Sequence, residues 1–422
     1  MGFGLSFTLP RVTSMIFRVT VLATHGPALW LAIALSLAVI GCSRNEPDKT
    51  PSSSAVSTAT ASVSAVSTGK AKAPRAWTSQ QVVKDIKGRA SLVIAKDGTR
   101  AISFTGDQEI RVVIAKPDAR GHISQWPSSV EVTATGRDPV LAIDPTNRAH
   151  VAYFQDECAD PGCPATLQYW TMADGKPAGE PELVQDQADL GGELRIAVDG
   201  RGRVHLAYLD RKTRDLKYAL RDAQGWRVTV AAAGGDESKR RTLPTAMALD
   251  SGGHPHLVYT GHDGAERRQV GPLHYLRQVE GQWKTEAVPE VTRAFRAALI
   301  LTDDQPQIVY CAEWNRPHVK LATRSAAGWT HEVIVDGSDR SVPPCRTHLM
   351  AARGPAGPLH VVYGSGGTIH HWVQDGDGWK TELVDTGAGP SLAVDAAGKP
   401  FIAYRTPQLG PRTLLYGLRK VP

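Results

Sequence analysis

The sequence lacks several features that other protein classes need. After residue 76 no segment keeps the 3.6-residue hydrophobic period of a helix, so helices are not expected there. The formal net charge is only +6, and basic residues are mixed with acidic ones, so a nucleic-acid-binding surface is not expected. No CxxC pair is present, which removes a common zinc-site spacing.

The N-terminal segment has the properties of an export signal. Residues 1–41 contain Arg11 and Arg18 and no acidic side chain, and they are almost wholly apolar from Pro27 to Gly41. That run is shorter than the roughly 20 residues that span a bilayer, and it has the length of the apolar core of a signal peptide.

The end of this run carries a second signal. The segment Val39-Ile40-Gly41-Cys42 resembles the lipobox of bacterial lipoproteins, in which a small residue precedes the cysteine that is acylated and becomes the new N-terminus. The resemblance implies cleavage before Cys42 and attachment of lipid to it. Ser43, rather than Asp, implies sorting to the outer membrane, on its periplasmic or its surface face. A plain signal anchor is the alternative.

A tether follows the lipid site. Residues 43–76 are Ser, Thr, Ala, Pro and Lys with almost no large apolar side chain, so they cannot offset the entropy of ordering. We therefore expect a signal peptide at 1–41, the anchored cysteine and a disordered linker at 42–76, and one folded domain at 77–422.

The body of the chain repeats one motif. Leu392–Tyr404 consists of Leu-Ala-Val-Asp, a Gly-bearing turn and a strand that ends in Tyr, and Ile196–Tyr208 repeats it. Further copies end at Phe104, Tyr153, Tyr259, Tyr310 and Tyr363. Successive copies lie roughly 41 to 55 residues apart, which is the period of a propeller blade.

Each repeat reads as four strands, A to D, separated by Gly and Asp turns. Strand D contains a recurring tryptophan at Trp226, Trp283, Trp329 and Trp379. The last repeat lacks strand D, and Trp77–Val83 resembles the missing strand. We predict an all-β, seven-bladed β-propeller whose N-terminal strand closes the last blade. Six blades and a degenerate segment are the alternative.

Four cysteines remain for the folded domain. An even number in an exported domain predicts two disulfides, with zinc as the rival interpretation. We expect Cys158 to pair with Cys163 within one loop of blade two. We expect Cys311 to pair with Cys345, because both positions project to the same mouth of neighbouring blades.

The repeat resembles the propellers of the sialidase-like and BNR-like group over residues 77–422. Sialidases use three arginines on the substrate carboxylate, a Tyr nucleophile with a Glu, and an Asp acid. The Ser-x-Asp-x-Gly-x-x-Trp boxes and the early Phe-Arg-Ile-Pro segment of that group are absent here. The resemblance therefore implies a fold rather than an activity, and we assign no catalytic residue.

Several residues are candidates for ligand binding. Arginines recur near the starts of the inner strands, at Arg137, Arg195, Arg296 and Arg346. Guanidinium groups gathered at one mouth of a propeller bind carboxylate or phosphate. Solvated charge is the alternative, and Asp138, Asp156, Glu193 and Glu313 are expected neighbours. Trp314, in a loop on the same rim, is the best single candidate for a ligand contact.

The histidines are expected to be structural. His150, His205, His256 and His360 all precede the strand B Tyr by three residues. The same position in different blades is too far from its copies to share one metal ion. His370 and His371 are adjacent on a strand and point to opposite faces. We therefore expect no metal and no cofactor.

Three functions compete at this point. The favoured one is a non-enzymatic binding protein of the outer membrane that takes an unknown protein or glycan. The first alternative is a sialidase-like carbohydrate-active enzyme that uses arginines at the propeller mouth. The second alternative is a fucose-lectin-like sugar binder, whose sites between blades repeat Arg, Glu and Trp. It ranks last because only the Trp repeat is evident.

Overall fold

The computed structural model describes residues 76–419, except for 157–163, 174, 189–192, 211, 235–242, 262–270, 313–317, 339–344, 346–347, 356, 377 and 408–411. These residues belong to a unit that spans Ala71–Pro422. The predicted signal peptide, Cys42 and the linker up to residue 75 lie outside the described residues. Within the described part, no helix is long and apolar enough to cross a membrane.

The described chain forms seven four-stranded antiparallel sheets, or blades. The N-terminal strand is β1 (Trp77–Ile86). Blade 1 contains β2 (Ala90–Ile94), β3 (Arg100–Thr105), β4 (Ile110–Ala115) and β5 (Val130–Thr133). Blade 2 contains β6 (Arg137–Ile143), β7 (Ala149–Asp156), β8 (Ala165–Ala173) and β9 (Lys176–Ala188). Blade 3 contains β10 (Arg195–Val198), β11 (Val204–Leu209), β12 (Leu216–Asp222) and β13 (Gly225–Ala232).

The remaining blades have the same order. Blade 4 contains β14 (Leu243–Leu249), β15 (Pro255–Thr260), β16 (Leu273–Val279) and β17 (Gln282–Ala287). Blade 5 contains β18 (Ala294–Thr302), β19 (Gln305–Ala312), β20 (His318–Ser325) and β21 (Gly328–Val335). Blade 6 contains β22 (Leu349–Arg353), β23 (Leu359–Ser365), β24 (Thr368–Asp375) and β25 (Gly378–Thr386). Blade 7 contains β26 (Ala388–Val394), β27 (Pro400–Arg405) and β28 (Arg412–Arg419), completed by β1.

The blades form a closed ring. The first strand of each blade contacts the first strand of the next, from β2 through β6, β10, β14, β18, β22 and β26 back to β2. The predicted all-β, seven-bladed propeller is therefore confirmed, and the six-bladed alternative is wrong.

The N-terminal strand closes the ring as predicted. Trp77 pairs with Arg419, and Gln80 pairs with Tyr416, which makes β1 the outer strand of blade 7. Trp77 is 3% exposed and packs in a cluster that includes Tyr404. Backbone hydrogen bonds between β1 and β28 therefore join the N-terminal and C-terminal strands of the propeller, and the edge of β28 is covered.

The repeated aromatic residue of strand B fills the space between blades. Six of the seven copies are at most 2% exposed, namely Phe104, Tyr153, Tyr208, Tyr310, Tyr363 and Tyr404. Tyr208 of blade 3, for example, packs against Ala152 and Phe154 of blade 2. The expected packing role of these residues is confirmed.

Aspartates of the A–B turns and histidines of strand B make hydrogen bonds within their own blades. The Asp199 carboxylate accepts the N–H groups of Arg201 and Arg203, and Asp144 and Asp395 accept the equivalent N–H groups in blades 2 and 7. The imidazole Nδ1 of His205 lies 2.7 Å from the Tyr218 hydroxyl. Matching His–Tyr pairs hold blades 2 and 4, between His150 and Tyr169 and between His256 and Tyr275.

Candidate functional site

One strand position supplies the residues at the mouth of the central channel. In each blade a strand A residue pairs with the residue before the strand B aromatic, as Arg195 pairs with Ala207 and Met350 with Val362. We call the residue that precedes this strand A residue by two places in the sequence the mouth position. In the six blades other than blade 4 it is occupied by Arg89, Asp138, Glu193, Arg296, His348 and Gly389.

The local backbone directs these side chains into the mouth. Strand A is bulged just beside the mouth position in blades 2, 5 and 7. Asp138 and Glu193 have positive φ angles of 51° and 49°, and Gly389 has a φ of 62°. Bulges and left-handed residues re-aim a side chain, and they concentrate at functional sites.

The mouth positions surround a cavity of about 350 Å³. All six of them line it, together with neighbouring inner-strand residues such as Arg195 and Ser391. The volume lies in the range of small-molecule sites, which is about 300–1,000 Å³.

A carboxylate stands at one side of this cavity among three arginines. Glu193 accepts an ion pair from Arg195 at 2.6 Å, from Arg296 at 3.4 Å and from Arg89 at 3.5 Å. Burial alone would raise the pKa of Glu193, but the charges of these arginines lower it to about 2. The glutamate is therefore ionised at neutral pH and holds side chains from blades 1, 3 and 5 in one place.

An uncharged histidine completes the cavity wall. Burial, together with the charges of Arg89 and Arg296, lowers the pKa of His348 to about 3. Both ring nitrogens are shielded from solvent and have no hydrogen-bond partner among the described residues. A neutral imidazole offers one donor and one acceptor, so this side chain has unused capacity for both.

The structure brings together two of the four predicted arginines. Arg195 and Arg296 line the cavity. Arg137 precedes the mouth position by one residue and instead pairs with Asp156 at 2.9 Å and lies over the Phe154 ring. Arg346, Trp314, Glu313, Cys158 and Cys163 lie outside the described residues.

The second predicted disulfide is confirmed. Cys311 is bonded to Cys345, and their Cα atoms are 6.0 Å apart. The bond joins the end of β19 in blade 5 to the segment that leads into β22 in blade 6. Because His348 follows Cys345 by three residues, the disulfide ties the chain to blade 5 close to this histidine.

The interpretation that only the tryptophan of strand D repeats, without a matching Arg and Glu, is wrong. Trp226 Nε1 donates to Glu182 of the preceding blade at 2.9 Å, and Arg221 binds the same carboxylate at 2.6 and 2.7 Å. Equivalent sets are Trp329, Glu286 and Arg324, and Trp77, Glu382 and Arg419. In each set the carboxylate is already taken by the indole and the guanidinium, so the set joins neighbouring blades. We call these sets inter-blade latches.

Comparison with known proteins adds the fold but no family. No protein-family model matches this sequence, and no curated protein matches it either. An ulvan lyase, described as a new family of polysaccharide lyase bound to -[GlcA(1-4)Rha3S]-, is similar in structure. It has a TM-score of 0.53 and 12% identity, over 80% of this chain and 94% of the lyase. The endosialidase of phage phi92 has a TM-score of 0.47 and 9% identity, over 82% of this chain and 70% of the endosialidase. An Aleuria aurantia lectin has a TM-score of 0.44 and 12% identity, over 72% of this chain and 99% of the lectin. The likeness to the ulvan lyase agrees with the seven-bladed propeller seen here and extends to the fold alone.

Proposed function

We propose that this chain is an exported binding protein whose propeller mouth recognises an acidic ligand, with an acidic carbohydrate as the first class to test. The observation that carries the proposal is the convergence of Arg89, Arg195 and Arg296 on one lined cavity. Guanidinium groups are suited to carboxylate, sulfate and phosphate because they present several donors in one plane.

The charge balance of the cavity supports an anionic ligand. Among the described residues that line the cavity, the three arginines outnumber the two carboxylates, those of Glu193 and Asp138. The Asp138 carboxylate also lies 3.4 Å from Arg137, a fourth arginine. A concave site with partly buried charges focuses the field and attracts ligands of the opposite sign.

Carbohydrate is the preferred ligand class for two reasons. The ulvan lyase of similar fold is described as bound to -[GlcA(1-4)Rha3S]-, although at 12% identity the likeness extends to the fold alone. The cavity also combines charged donors with the uncharged donor and acceptor of His348, which suits a ligand that carries both an acid and hydroxyl groups.

The lipid anchor and the outer membrane belong to the same proposal. They are supported by the apolar run, the lipobox-like segment and the linker in the sequence. A labelled fatty acid should be incorporated into the wild-type chain in a Gram-negative host and not into a Cys42→Ser variant. Equal labelling of both would contradict anchoring at this residue.

The binding proposal is tested with the purified full-length chain on an array of acidic and neutral glycans. We expect binding to acidic glycans that falls severalfold in an Arg296→Gln variant, because one positive charge of the mouth is removed. Arg227→Gln is the control, since Arg227 is an exposed residue of the outer strand β13. Binding that is confined to neutral glycans, or that both variants weaken equally, would contradict the proposal.

The same preparation separates the alternative functions. Release of product from fluorogenic uronides or sialosides by the wild-type chain, lost on Arg195→Ala, would indicate the carbohydrate-active enzyme. Binding of fucosides that is lost when Trp226 is replaced would indicate a lectin with sites between the blades.

A further inference from the structure

The mouth of the propeller has two unlike sides. On the side of blades 3 and 5, the charges of Arg195 and Arg296 are met by Glu193. On the side of blade 7, the mouth position is Gly389, which has no side chain. A Cβ atom at Gly389 would lie 3.5 Å from Nε of Arg405, so this arginine stands directly beside the gap.

Arg405 is a cation without a counter-ion among the described residues. It ends β27, and its Nε is buried with no hydrogen-bond partner in the described part of the chain. Burial lowers the pKa of Arg405, and the charges of Arg412 and Arg89 act in the same direction. Arg412 itself donates to the Lys87 carbonyl at 2.9 Å.

His348 borders the same gap from blade 6. It lines the cavity beside Gly389, and the charge of Arg405 contributes to the low pKa of its imidazole. The two ring nitrogens of His348 and the Nε of Arg405 are therefore buried polar atoms beside the gap that have no hydrogen-bond partner among the described residues. Buried polar groups without partners are uncommon in folded proteins and call for an explanation, such as a bound ligand.

We propose that the acidic group of the ligand binds on the side of blades 6 and 7, against Arg405 and His348 above Gly389. In this arrangement the Arg89–Arg195–Arg296 cluster is already paired with Glu193. It attracts the ligand through its positive electrostatic potential and does not contact the acidic group directly. The inference rests on the proposed function and names the subsite within it.

The two side chains define the ligand chemistry. The guanidinium of Arg405 can donate two parallel hydrogen bonds to a carboxylate, and a neutral imidazole donates one hydrogen bond and accepts another. A carboxylate has no proton to give to the imidazole, whereas a neighbouring hydroxyl has one. The subsite therefore selects a carboxylate with a hydroxyl close by, as in a uronic acid, over an isolated acid.

The test is isothermal titration of the full-length chain with trigalacturonate and with its fully methyl-esterified form, which keeps the sugars and removes the charge. We expect trigalacturonate to bind and the ester to bind at least about tenfold more weakly. Arg405→Gln should weaken trigalacturonate binding by about tenfold or more, and His348→Phe severalfold. Arg296→Gln should have the smaller effect described above, and Arg227→Gln should have none.

Each other outcome decides against one part of the account. If Arg296→Gln abolishes binding while Arg405→Gln matches the wild type, the subsite is wrong and the proposed function stands. If the wild-type chain binds neither oligomer, both the proposed function and the subsite are overturned. If Arg405→Gln fails to fold by thermal unfolding, Arg405→Lys replaces it. That variant keeps the charge without the planar fork, and wild-type affinity in it would overturn the subsite.

Discussion

At the scale of the residue, Glu193 organises the mouth. Its side chain is 12% exposed, it has a left-handed backbone, and it pairs with arginines from three different blades. A carboxylate in such surroundings is stable only because it is paired, and removing one partner of a buried ion cluster is costly. We therefore regard Glu193 as the residue that positions the arginines.

Replacement of Glu193 by Gln should change the dependence of stability on pH. The folded pKa of about 2 lies below the ordinary value of 4.5, so the ionised glutamate stabilises the fold fully above pH 4.5. This contribution, about 2–4 kcal/mol, is lost as the pH falls from 4.5 towards 2. Urea unfolding from pH 7 to pH 2 should show a gap between wild type and Glu193→Gln that narrows on acidification.

The control for this experiment is Glu180→Gln, which removes a negative charge from an exposed position on β9. A gap between wild type and Glu193→Gln that stays constant down to pH 2 would contradict the assigned pKa. So would an equal, pH-dependent gap in the control variant.

The sequence alone predicts arginines near the mouth and selects Arg195 and Arg296 correctly, but it also selects Arg137, which does not line the cavity. Arg137 and Asp138 are neighbours on one inner strand, and a shift of one residue exchanges the side that faces the channel. Bulges beside the mouth position move the register in blades 2, 5 and 7, and composition gives no sign of them. Arg89 was missed because its blade carries a weak copy of the repeat, and Arg405 because it lies beside Gly389 on the second strand of its blade.

At the scale of the element, the inter-blade latches connect one outer strand to the next. Four tryptophans donate to a glutamate in the preceding blade, and three of these glutamates also bind an arginine. Between blades 3 and 4 the latch is missing. By register, Thr229 takes the place of the glutamate and Gln278 that of the arginine, and the buried Trp283 Nε1 has no hydrogen-bond partner among the described residues.

Completing this latch should stabilise the propeller. A Thr229→Glu, Gln278→Arg double variant supplies the carboxylate and the guanidinium found at three other blade junctions. We expect a gain of about 1–2 kcal/mol in the free energy of unfolding, because a buried indole N–H gains a charged acceptor. Urea unfolding measures it.

The matched control removes an existing latch by Glu286→Thr, which should destabilise the fold by a similar amount. No gain from the double variant, with a clear loss in the control, would show that the blade 3–blade 4 junction differs in geometry from the others.

The strands themselves were predictable, because the A–B hairpin, the buried aromatic and the strand D tryptophan recur along the chain. The latches were also visible in the sequence as a Trp-x-x-Glu pattern at Trp283, Trp329 and Trp379. The pattern was not recognised because each glutamate bonds to the tryptophan of the next blade and not to that of its own strand. Only the ring of blades brings the two together.

At the scale of the whole molecule, closure depends on β1. Trp77 anchors it through burial and through a 2.9 Å hydrogen bond to Glu382 of blade 6. Trp77→Ala should lower the free energy of unfolding by about 3–5 kcal/mol, as for a buried Trp in a core. It should also speed hydrogen exchange along β28, because the strand that covers its edge is loosened.

Trp283→Ala is the control for the closure prediction. Trp283 packs edge-to-face on Tyr218, as Trp77 does on His371, but it lies away from the ring closure. Its loss should leave exchange in β28 unchanged. Equal acceleration of β28 exchange in both variants would contradict a special role for β1.

The most direct test of the whole account is a crystal structure of the chain with a bound acidic oligosaccharide such as trigalacturonate. We predict a sugar carboxylate at the channel mouth, within hydrogen-bond distance of Arg405 and facing His348, with Glu193 still held by its arginines. Sugar bound at the outer strands beside Trp226 or Trp329, with the mouth filled by water alone, would contradict it.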